Sequence, residues 1–134
     1  AALGLSLPAA KRVHGTVEQS GLPARSFDLV ISNAVLHFAG GHAHFRAMLD
    51  ATWDLVRPGG LLFVRLTSSV GIEPLVQDLG DGRYWLPDQS ERYLVTEESL
   101  LCETQRLGGE LLDPIKSTVV QSLRTMTTWV LRHP

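Results

Sequence analysis

The hydrophobic pattern changes period along the chain, and each change marks an element. Val13-His14-Gly15-Thr16-Val17 reads as a short strand, closed by Gly15 and the loop over residues 18–25, whose Gly21-Leu22-Pro23 supplies the turn chemistry. In Phe27–Asn33, Leu29-Val30-Ile31 is continuously apolar, as expected of a strand buried on both faces of a parallel sheet. From His42 to Val56 the period becomes helical. Phe45, Met48, Leu49, Thr52, Trp53 and Val56 fall on one face, with Arg46, Asp50 and Asp54 on the polar side. Arg57-Pro58-Gly59-Gly60 should end that helix, and Leu61–Leu66 reads as a second buried strand. Strand, helix and strand make a βαβ unit with parallel strands.

Residues 67–95 are less regular. Arg83-Tyr84-Trp85-Leu86 and Arg92-Tyr93-Leu94-Val95 are expected to form a small hairpin. Thr96 is an N-cap candidate, with Glu97 and Glu98 suited to the positive end of the helix dipole. Leu100, Leu101, Thr104 and Leu107 form the expected buried stripe, and Gly108-Gly109 stops the helix. The β-rich runs over 110–120 and 124–132 are close enough in sequence to demand an antiparallel pair. The opening residues, Ala1 to Pro8, read as a helix tail and a loop. With no repeat or linker, residues 1–134 form a single α/β domain.

Composition narrows the function classes. At 134 residues with 44% hydrophobic and 19% charged side chains, the chain can build a core and is not of the disordered class. A net charge of −2 lacks the basic surplus of a nucleic-acid binder, and no apolar run is long enough for a membrane span. Cys102 is the single cysteine, which rules out an internal disulfide or a cysteine zinc site and suits a cytoplasmic setting. His42 and His44 lie two apart, point different ways on a helix and join no carboxylate cluster, so no metal site is expected.

In open α/β sheets ligands bind beyond the carboxyl ends of the strands. That rule selects Thr16-Val17-Glu18, Asn33-Ala34-Val35-Leu36-His37 and Thr67-Ser68-Ser69, polar runs that follow apolar strands. Asp28 sits at the start of its strand and reads as structural. Arg65, Arg124 and Arg132 default to salt-bridged or solvated roles.

Four pieces in order carry a resemblance: Gly15-Thr16-Val17-Glu18, Leu22-Pro23, Ser26-Phe27-Asp28-Leu29-Val30 through Leu36-His37, and Val56-Arg57-Pro58-Gly59-Gly60-Leu61-Leu62. Together they resemble the class I S-adenosylmethionine-dependent methyltransferases, in particular the small-molecule subgroup. The resemblance implies a Rossmann-like sheet, mainly parallel with a C-terminal antiparallel hairpin, and S-adenosyl-L-methionine as cofactor. It also implies roles. Thr16 stands where an Asp often accepts from the adenine amino group, Val17 would offer its backbone N–H to the ring, and Glu18 sits nearby. Asn33 and Ala34 would meet the methionine portion. His37, on the substrate-facing turn, is the candidate base, its ordinary pKa lying near the working pH. Tyr84 and Trp85 are candidate substrate contacts in a lid over residues 68–95.

The family's G-x-G-x-G loop and the acidic residue after its second strand are absent from these residues. In the family's strand order, 3-2-1-4-5-7-6, the first strands are then missing. The chain is therefore expected to be the C-terminal portion of a methyltransferase domain, carrying part of the cofactor site and leaving a sheet edge open. The leading function is methyl transfer to a small-molecule acceptor. The rival is a catalytically silent α/β module that forms a homodimer or binds a partner through that edge.

Overall fold

The computed structural model describes Pro8 and residues 11–134; the expected helix tail over residues 1–7 lies outside them. Strand β1 (Phe27–Asn33), helix α1 (His42–Trp53) and strand β2 (Val56–Ser68) form the anticipated βαβ unit, with β1 and β2 parallel from Leu29↔Leu61 to Asn33↔Arg65. Strands β3 (Gln77–Gly80), β4 (Arg83–Trp85) and β5 (Glu91–Tyr93) follow as a separate antiparallel sheet, one strand larger than the expected hairpin. Helix α2 (Glu97–Leu107) leads to β6 (Glu110–Leu111), β7 (Lys116–Val120) and β8 (Arg124–Arg132). β8 lies antiparallel to β2 along its length, and β6 and β7 pair with the other edge of β8. Among the described strands the parallel part is the β1–β2 pair, and β8 brings the antiparallel remainder.

The core lies on one face of this sheet. Leu62, Val64 and Leu66 alternate inward from β2 and are fully buried, as period-two geometry requires. They meet Phe45, Leu49 and Trp53 of α1, Leu100 of α2, and Trp129 and Leu131 of β8. The opposite face is thinly covered. Leu29 is 52% and Ile31 64% exposed, so β1 is not the doubly buried strand expected from its composition. The helices cover the Val30 and Ser32 side, and among the described strands β1 pairs with β2 alone.

Other expectations also change. Val13–Val17 is not a strand, because no described strand lies beside it to take its backbone hydrogen bonds; a 3-10 turn over Val17–Gln19 stands there instead. α1 ends at Trp53, before Arg57-Pro58-Gly59-Gly60. Those four residues form an irregularity inside β2, where Phe27↔Val56 is followed by Leu29↔Leu61. Gly60 is required there, since a Cβ would come within 2.9 Å of the Arg57 carbonyl and 3.0 Å of the Asp28 carbonyl. Asp28 pairs with Arg57, as a structural residue would.

On α2 the buried stripe is Leu100, Glu103, Thr104 and Leu107, and Leu101 faces out at 50% exposure. Glu103 occupies a core-facing position because Arg46 and Arg106 satisfy its carboxylate. Thr96 caps the helix as anticipated, exchanging hydrogen bonds with Ser99 in a capping box, and Gly108 closes it at φ 71°. The start of α1 is capped from a distance: Asp81, in the β3–β4 turn, accepts from the His42 N–H at 3.3 Å.

Candidate functional site

The site is built where β1 and β2 end. Ala34 follows β1 in a left-handed conformation (φ 58°), held there by its N–H donating to the Arg65 carbonyl at 2.9 Å. For a residue with a Cβ that geometry costs roughly 1–2 kcal/mol, so the surrounding bonds must impose it. The chain then turns through Leu36–Phe38 into α1. Facing this turn is the segment at Thr16, extended at φ −82°, ψ 157°, followed by the 3-10 turn.

Between them lies a groove of about 320 Å³, lined by Thr16, Val17, Glu18, Ala34, Phe38 and Met48 among others. Four residues anticipated from the sequence at a cofactor site, three consecutive and the fourth 16 positions on, thus share one wall. Val17 opens its turn, so its N–H has no partner within it. Glu18 is engaged with His44 (Oε2···Nε2 3.1 Å), whose Nδ1 accepts from the Gly40 N–H at 2.9 Å. Asn33 is exposed and does not line the groove; its Oδ1 accepts from Arg65 at 3.3 Å.

A second cavity, of about 270 Å³, adjoins the groove and shares Ala34 and Phe38 with it. His37, Arg65, Arg92 and Arg124 reach it from four different elements. His37 is buried, and its Nδ1 accepts from the Thr67 N–H at 3.1 Å. Burial first, then the charges of Arg92, Arg65 and Arg124, lower its pKa to about 4. The expectation of a pKa near working pH therefore does not hold. The ring is neutral, with its acceptor nitrogen occupied and its proton on Nε2, which suits a hydrogen-bond donor and not a base.

The β3–β5 sheet contributes Asp88 and Arg92 to this cavity's wall, where the sequence suggested Tyr84 and Trp85. Those two lie on β4, outside that wall, with Trp85 39% exposed. Tyr93 is an anchor: it stacks on Phe45 with centroids 4.5 Å apart and bonds His42 Nδ1 at 2.8 Å. A wider groove of about 840 Å³, bordered by His42, Arg46 and Cys102, carries none of the residues anticipated at the strand ends. Sequence reasoning misses Arg65 and Arg92 as site residues. Arg65 carries a signal, a lone charge within the apolar run of β2, while Arg92 carries none.

Residues 4–64 match the family model described as a methyltransferase domain. No curated protein sequence matches the chain. Among solved structures it is similar to the Burkholderia thailandensis 1,6-didemethyltoxoflavin-N1-methyltransferase, solved with its namesake compound and S-adenosylhomocysteine, at 17% identity and TM-score 0.64, covering 87% of this chain and 48% of that one. It is also similar to the N-methyltransferase NodS of Bradyrhizobium japonicum, in complex with S-adenosylhomocysteine, at 16% identity and TM-score 0.62, covering 90% and 52%. The [4+2]-cyclase SpnF matches at 14% identity and TM-score 0.64, covering 90% and 54%, so a protein described by a different activity shares the architecture. The chain spans about half the length of these structures. The matched segment resembles a methyltransferase domain, and the chain shares its fold with solved S-adenosylmethionine-dependent methyltransferases.

Proposed function

We propose that this chain serves S-adenosylmethionine-dependent methyl transfer to a small-molecule acceptor. The observation that carries the reading is the convergence of Thr16, Val17, Glu18 and Ala34 on one groove beyond β1, within the segment that matches the methyltransferase family. In this reading the Thr16 hydroxyl and the Val17 N–H hold the adenine, Glu18 stands beside them, and Asn33 and Ala34 meet the methionine portion. The cofactor supplies an already activated methyl group. The chain's work is then to bind, align and exclude water. His37 orients the acceptor through its Nε2–H, and the β3–β5 sheet acts as the lid, with Arg92 on the cavity wall in the place foreseen for Tyr84 and Trp85. The 1,6-didemethyltoxoflavin-N1-methyltransferase among the fold neighbours supports a small acceptor, and a cytoplasmic setting suits both cofactor and acceptor.

A titration of the chain with S-adenosylhomocysteine, followed by backbone NMR, tests this. Weak saturable binding, in the range of about 0.1–1 mM, is expected, with shifts centred on Thr16, Val17 and Ala34. No saturation, or shifts centred elsewhere, overturns it. The exposure of Leu29 and Ile31 favours one second reading, self-association along β1. A clean monomer on size-exclusion chromatography at high concentration excludes that.

A further inference from the structure

Three guanidinium groups from separate elements meet in the cavity beside the proposed cofactor groove: Arg65 of β2, Arg92 of β5 and Arg124 of β8. Such a gathering is unfavourable unless something answers the charge. Asp88 is the one acid on the wall, 3.6 Å from Arg124. Among the described residues Arg65 and Arg92 pair with no carboxylate: Arg65 donates to the Asn33 amide oxygen, and Arg92 lies over the Phe38 ring, 4.6 Å from its centroid, and donates to the Glu91 carbonyl. The surplus stands out in a chain whose net charge is −2. It is local, unlike the broad basic surface a nucleic acid would need.

From this juxtaposition we propose that the cavity binds an oxyanion, a carboxylate or phosphate, carried by the methyl acceptor. Arg65 and Arg92 supply the fork-shaped donors that match such groups, and Arg124 adds charge. The His37 Nε2–H supplies a neutral donor. Phe38 and Met126 line the same space with apolar surface, so the anion has a hydrophobic body behind it. The shared wall of Ala34 and Phe38 sets the anchored group beside the groove. This inference rests on the methyl-transfer reading for the word acceptor; the anion site itself stands on the arginines.

The test titrates the chain with benzoate, with inorganic phosphate and with neutral benzamide, following the His37 ring signals by NMR. Separate titrations use S-adenosylhomocysteine. Benzoate or phosphate should saturate and raise the His37 pKa by neutralising the surrounding charge, while benzamide does neither. The tighter of the two anions identifies the group. Arg65→Gln and Arg92→Gln should each weaken anion binding at least about tenfold, without changing S-adenosylhomocysteine affinity. Anions that bind no better than benzamide to the unmodified chain overturn the proposal, whatever the variants do. Loss of S-adenosylhomocysteine affinity in Arg65→Gln also overturns it, since the arginine would then serve the cofactor's own carboxylate. Anion binding without any S-adenosylhomocysteine binding upholds the site and overturns the methyl-transfer reading.

Discussion

The backbone N–H of Thr67 donates to Nδ1 of His37 at 3.1 Å, joining the end of β2 to the turn that follows β1. Protonating His37 would break this bond and add a fourth positive charge to Arg65, Arg92 and Arg124, beside the one acid Asp88. The unfolded ring takes a proton near pH 6.5, the native one near 4. Between those values the unfolded chain binds more protons. The stabilisation is therefore whole above pH 6.5 and drains away as pH falls toward 4, by at most about 1.4 kcal/mol per pH unit. Urea unfolding at pH 7 and pH 4.5 should show a smaller loss in His37→Gln than in the unmodified chain. Equal losses would remove His37 from the account.

Val17→Pro separates the backbone donor from the turn that carries it. Proline suits the first position of a helical turn, and Thr16 already has the extended geometry that a residue before proline prefers. The substitution should leave the fold unchanged by circular dichroism and weaken S-adenosylhomocysteine binding about fivefold to tenfold, the worth of one hydrogen bond. Unchanged affinity would show that this N–H does not face the ligand.

Gly82→Ala tests how the small sheet is seated. Gly82 has φ +79°, and a Cβ there would overlap the Tyr93 ring and come within 2.9 Å of His42. Tyr93 holds β5 against α1 through Phe45 and His42, so the added methyl pushes at that anchor. A loss of about 1–3 kcal/mol is expected in urea unfolding, with faster proteolytic cleavage between residues 77 and 93. Wild-type stability would mean that the ring shifts aside without cost.

The strongly periodic elements are legible in the amino-acid sequence alone. α1, β2, α2 and the terminal pair follow from spacing and from caps such as Thr96 and Gly108, all of which depend on neighbours in sequence. The misses depend on partners far away. The alternation around Val13 cannot reveal that no described strand lies beside it, and the apolar run of β1 cannot reveal that Leu29 and Ile31 have little cover. Leu101 reads as core because leucine is apolar, whereas Glu103 holds that face through Arg46, which lies on the other helix. Ala34 follows from the strand-end rule, and Thr16, Val17 and Glu18 follow from the family resemblance, since the Val13–Val17 segment forms no strand. The arginine cavity does not, because Arg65, Arg92 and Arg124 meet only once three strands are in place.

The order in which the sheet closes has a consequence during synthesis. β2 takes its second neighbour from β8, pairing Leu61 with Arg132 and Leu66 with Thr127, while its first neighbour β1 precedes it in the chain. A ribosome therefore delivers the apolar Leu61–Leu66 run well before the strand that covers its open side. Until residues 124–132 emerge, the Leu61–Leu66 edge is a template for other nascent chains. The nascent protein is at its most vulnerable to chaperone capture and to aggregation in that interval, and slowing translation between β2 and β8 should lower its soluble yield.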